Sequence, residues 1–78
     1  MPLAAQYVHT NLIARNWRRL ARFYEEAFGC APVFPERRLS GEWFEAATGL
    51  AGARAEGMHL RLLGWGERGP TLEIFQYH

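Results

Sequence analysis

The sequence predicts an α+β fold: a single domain in which one main helix packs on a four-stranded sheet. Three observations lead there. Only one long segment, 17–28, repeats its apolar residues at helical spacing. Four segments with strand character flank it, one before and three after. And 78 residues suffice for one helix layer on one sheet layer, with a core thin enough that oligomerisation is a natural supplement.

Residues 5–13, AQYVHTNLI, carry Tyr, Val, Thr, Leu and Ile with imperfect alternation and read as the first strand. Asn16 then stands where an N-cap belongs. Trp17, Leu20, Ala21, Tyr24 and Phe28 form the apolar stripe of the helix, and Gly29 is its stop. The charged residues Arg18, Arg19, Arg22, Glu25 and Glu26 fall largely outside that stripe, as on a solvated helix face. Pro32 and Pro35 mark an edge-like strand from about Val33 to Leu39. A short helix within 41–52 ends at Gly49. AEGMHLRLLGW reads as a strand, GERG as a turn, and Pro70 introduces the last strand, TLEIFQY.

Composition excludes several classes of function. The 49% hydrophobic and 14% aromatic content is too rich for a disordered chain. A net charge of +1 offers nothing to a nucleic acid or a membrane surface, so neither partner is expected. No apolar run approaches the roughly 20 residues that span a bilayer, and the N-terminus lacks a signal-peptide layout. The one cysteine, Cys30, has no internal disulfide partner, and a reducing cytoplasm is the expected compartment.

Strand alternation sorts the remaining polar residues onto one face. Tyr7, His9 and Asn11 share a face in the first strand, His59 and Arg61 in the penultimate one, and Thr71, Glu73, Phe75 and Tyr77 in the last. The opposite faces carry Val8 and Leu12, Met58, Leu60 and Leu62, and Leu72 and Ile74, which suits packing under the helix. A face that mixes aromatic rings with histidine, arginine and glutamate fits neither open solvent nor a sealed core. A half-enclosed hollow accommodates both.

The run YVHTNL…NWRRLARFYEEAFG…LEIFQY resembles the N-terminal βαβββ module of the vicinal oxygen chelate superfamily, the glyoxalase, bleomycin-resistance and extradiol-dioxygenase group. The match extends from Tyr7 to Tyr77, and Asn16 stands where many relatives have aspartate. The resemblance implies that residues 1–78 form one such module, half of a usual two-module domain, with a curved mixed sheet and the main helix on its convex face. It also implies that His9 and Glu73 are metal ligands; a ligand carboxylate that can release the ion can also serve as base, so Glu73 is the expected catalytic residue. Asn11, His59, Arg61 and Phe75, which share that face, are the expected substrate contacts.

Imidazole and carboxylate suit a divalent ion such as Zn, Ni, Mn or Fe. Two ligands are too few for a firm site. A second copy of the chain, related by a twofold axis, would supply the symmetry mates and cover the hollow, so a homodimer is expected. The expected activity is that of a metal-dependent lyase or isomerase of the glyoxalase or epimerase type. Its substrate would be a small molecule with vicinal oxygens, and the ion a Lewis acid for proton removal beside a carbonyl. Two alternatives stand beside it. One is a metal-free protein that binds a drug or aromatic ligand, with Trp43, Phe44, Phe75 and Tyr77 in the cup. The other is an inactive half-module, because the sequence halts where the module's last strand halts.

Overall fold

A computed structural model describes residues 3–78. The elements are β1 (His9–Ile13), α1 (Trp17–Phe28), β2 (Ala31–Leu39), α2 (Glu42–Thr48), β3 (Ala55–Arg61) and β4 (Thr71–Tyr77). They form a mixed four-stranded sheet in the order β1-β4-β3-β2, with β1 parallel to β4 and the other pairs antiparallel. The architecture is the expected α+β one, a curved sheet with a single main helix, and it is compatible with a βαβββ module.

Local chemistry sets the bounds of α1. The Asn16 side chain accepts from the Arg19 amide, 3.2 Å away, as an N-cap does. Gln76 Oε1 on β4 accepts from the Trp17 amide at 3.1 Å, so the last strand also ties down the helix start. At the other end Gly29 adopts φ 67°, and the Gly29 and Cys30 amides reach back to the Glu25 and Tyr24 carbonyls. Only glycine takes that left-handed geometry without strain.

β1 begins later than its composition suggests. Residues 5–8 have strand-like character, but the first paired residues are His9 and Thr71. Pro70 precedes Thr71 and carries no amide hydrogen to extend the ladder. β2 is longer than expected and starts at Ala31 opposite Arg61. Its prolines are tolerated because β2 is an edge strand. Between Val33 and Arg37 its register shifts against β3, and this bulge carries Pro35 and Glu36. There the Glu36 carboxylate takes both Arg18 guanidinium nitrogens at 2.8 Å each, clamping the bulge to α1. The fork lowers the Glu36 pKa and raises that of Arg18.

The core lies between α1 and one face of the sheet. Trp17, Ala21, Cys30, Met58, Leu60 and Ile74 are buried there, and Leu60 and Ile74 are fully enclosed. Burial pushes the Cys30 thiol pKa up, as befits a packed rather than a reactive cysteine. A second, smaller cluster joins Phe44 of α2 to Ala53, Ala55 and Leu39, and Tyr77 stacks on the Phe44 ring at 5.9 Å. The molecule measures 42 × 39 × 18 Å, the thickness of one helix on one sheet. Among the described residues no second layer of helix or sheet covers the other sheet face.

Candidate functional site

Pairing across the strands arranges the uncovered face into rows. One row runs His9, Thr71, Arg61, Ala31; the next runs Asn11, Glu73, His59, Val33; a third holds Ile13, Phe75, Gly57 and Arg37. Each row takes residues of the same parity from neighbouring strands, so their side chains emerge on one side. His9, Asn11, His59, Arg61, Glu73 and Phe75 therefore share the face opposite α1.

Glu73 is the hub of this face. Asn11 Nδ2 donates to its Oε1 at 2.8 Å, His59 Nε2 lies 2.7 Å from its Oε2, and His9 Nε2 lies 3.8 Å from its Oε1. The carboxylate side chain is 17% exposed and that of His59 18%, whereas His9 on the edge strand is 41% exposed. The His9 and His59 rings meet edge to face, with centroids 5.4 Å apart.

The other ring nitrogen of His59, Nδ1, lies 2.9 Å from Thr71 Oγ1. Burial pushes the His59 pKa down; the Glu73 charge pulls the other way, while Arg37 and His9 add to the lowering. The neutral ring then donates from Nε2 to Glu73 and accepts the Thr71 hydroxyl proton at Nδ1. Thr71 was not singled out from sequence, although it lies two residues before Glu73 and so must share its face.

Arg61 does not pair with Glu73; it reaches no carboxylate among the described residues, and its Nε is buried without an acceptor. Phe75 sits one row beyond Glu73, is buried, and lies across Gly57 on β3. A Cβ at Gly57 would run into the Ile74 carbonyl and the Phe75 ring. That glycine is what leaves room for the edge of the ring beside β3. Of the aromatic residues expected in the cup, Phe44 and Tyr77 pack on each other and Trp43 is exposed.

Two donors at about 2.1 Å from one ion and roughly 90–110° apart would be about 3.0–3.4 Å from each other. The 3.8 Å between His9 Nε2 and Glu73 Oε1 exceeds this by a few tenths of an ångström, within reach of a small side-chain rotation. Their chemistry suits a divalent ion. No three His, Cys, Asp or Glu side chains among the described residues are placed to grip one together. His59 is the nearest third donor, and its Nε2 is directed at Glu73 instead.

Comparison with protein-family models, curated proteins and solved structures finds no match to this chain. Among the described residues no helix is long and apolar enough to cross a membrane.

Proposed function

We propose that the chain is a vicinal-oxygen-chelate-type module that acts as a metal-dependent lyase or isomerase of the glyoxalase or epimerase type. One observation carries the reading: an imidazole on β1 and a carboxylate on the adjacent, parallel β4 stand 3.8 Å apart on the sheet face that the helix leaves open. His9 and Glu73 would hold the ion. When bound, it supplies Lewis-acid polarisation of vicinal substrate oxygens.

The chain's own groups then have distinct tasks. Glu73 accepts the proton from the carbon beside the substrate carbonyl. Asn11 and His59 hold its carboxylate plane from both sides, which fixes the direction of its lone pairs. Arg61 and Phe75, in the flanking rows, are the substrate contacts of this proposal.

Two ligands leave the coordination shell incomplete, and a second copy is the proposed source of the rest. β1 is a sheet edge; Val8 just ahead of it and Ile13 at its end are each about 60% exposed. A twofold pairing on that side covers apolar surface and brings a second His9 and Glu73 toward the first. The cytoplasm is the proposed compartment.

A metal-free binding protein is the second reading, and it has its own support: both Glu73 oxygens already accept hydrogen bonds within the chain. Metal analysis after chelator-free purification separates the two. The enzyme reading expects one tightly held divalent ion per dimer, lost in His9→Ala and Glu73→Ala. Protein without metal, with ligand binding unchanged in both variants, would rule it out.

A further inference from the structure

The loop between β3 and β4 walls a cavity that the proposed metal chemistry does not use. It measures about 650 Å³ and is lined by Gln6, Tyr7, Leu62, Trp65, Arg68, Gly69 and Pro70. That size lies within the usual range of small-molecule sites, which is roughly 300–1,000 Å³. Its position is fixed by the sheet: Tyr7 lies two residues ahead of His9, and Gly69 two ahead of Thr71, so it opens beyond the His9–Thr71 end of the rows.

The walls are mostly apolar. Tyr7 and Trp65 are 62% and 65% exposed, so neither ring is committed to the core. The turn that carries Trp65 is tight: the Gly69 amide bonds to the Gly66 carbonyl at 3.2 Å. A Cβ on Gly69 would collide with the Trp65 Cβ and crowd its carbonyl, so only glycine leaves room for this close approach of backbone at the base of the Trp65 side chain.

Arg68 is the one charged side chain on the cavity wall, and it pairs with no carboxylate among the described residues. An unpaired guanidinium beside two open rings complements a ligand that is flat, aromatic and negatively charged. A neutral aromatic would leave the guanidinium without a partner, and an aliphatic anion would leave the rings uncovered.

We infer that this cavity is a binding site for a planar aromatic carboxylate, its ring between Tyr7 and Trp65 and its anionic group on Arg68. The site goes beyond the metal reading and does not depend on it. Calorimetric titration of the full chain in EDTA with 2-naphthoate, and with neutral 2-naphthamide, tests it.

Saturable binding of naphthoate is expected, with naphthamide about tenfold weaker or worse, the usual scale of one charge-assisted contact. Arg68→Gln should weaken naphthoate about tenfold and bring the two ligands together, whereas Trp65→Ala should weaken both. His9→Ala and Glu73→Ala should change neither, which separates this site from the metal site. Two-dimensional amide spectra should move the Trp65 indole and Gly69 signals and leave Trp43 still. No saturation at millimolar naphthoate, equal affinity for the amide, or an Arg68→Gln variant that binds naphthoate as the parent does would each overturn the assignment.

Discussion

His59 and Glu73 face each other across β3 and β4 with 2.7 Å between Nε2 and Oε2, and the histidine is nonetheless held toward its neutral form. Burial disfavours the imidazolium, and the nearby Arg37 and His9 oppose a further positive charge. Thr71 on Nδ1 completes a chain from hydroxyl to ring to carboxylate. Such a neutral donor orients the Glu73 carboxylate, which is what a base or a ligand requires.

This relationship has a consequence for stability against pH. The folded His59 pKa lies below its ordinary value of 6.5, so between the two values the unfolded chain binds more protons. Stability is therefore fully present above pH 6.5 and declines as pH falls through that value toward the lower folded one. Urea midpoints measured from pH 8 to pH 5 should fall across this window. In His59→Gln, which cannot titrate, the fall should be shallower. Identical profiles for both proteins would refute the assignment.

His9 and Glu73 should be separable from Asn11 in metal binding. Removing a donor, as in His9→Ala or Glu73→Ala, is expected to abolish Zn or Ni binding in calorimetry. Asn11→Ala, which only orients the carboxylate, should weaken it by about 10–100-fold, the range seen for outer-shell partners. Equal loss in all three variants would show that Asn11 is itself a donor or that the face has rearranged.

The homodimer is open to a direct check. Sedimentation at micromolar concentration should give a species of twice the chain mass, and Val8→Glu with Ile13→Glu on the β1 edge should return it to monomer. A wild-type monomer under these conditions removes the proposed second half of the metal site.

The Gly57–Phe75 contact predicts a sharp cost for a small change. Gly57→Ala places a methyl group where the Ile74 carbonyl and the Phe75 ring already sit. Overpacking of this kind costs about 1–3 kcal/mol. By contrast, Ile74→Ala empties a fully enclosed position and should cost about 2–5 kcal/mol. Denaturant titration reads both, and near-ultraviolet dichroism should report Phe75 displacement in Gly57→Ala alone.

Much of the architecture was legible in the chain because it rests on local rules. Asn16 and Gly29 bound α1 as expected, since capping depends on a few neighbouring backbone groups. Period-two alternation placed His9, Asn11, His59, Arg61, Glu73 and Phe75 on one face, since parity along a strand is a property of that strand. Other features were hidden for the opposite reason. The start of β1 at His9 depends on where β4 begins, and the Gln76 contact with the Trp17 amide joins residues 59 apart.

The sequence by itself thus determined where the main helix starts and stops, roughly where the strands lie, and which strand residues share a face, because those follow from caps and periodicity. Only the tertiary structure decided which strand neighbours which. The order β1-β4-β3-β2 puts Asn11, Glu73 and His59 in a single row and leaves Arg61 out of the carboxylate's reach. Strand order is a matter of long-range pairing and shared burial, which no stretch of neighbouring residues encodes.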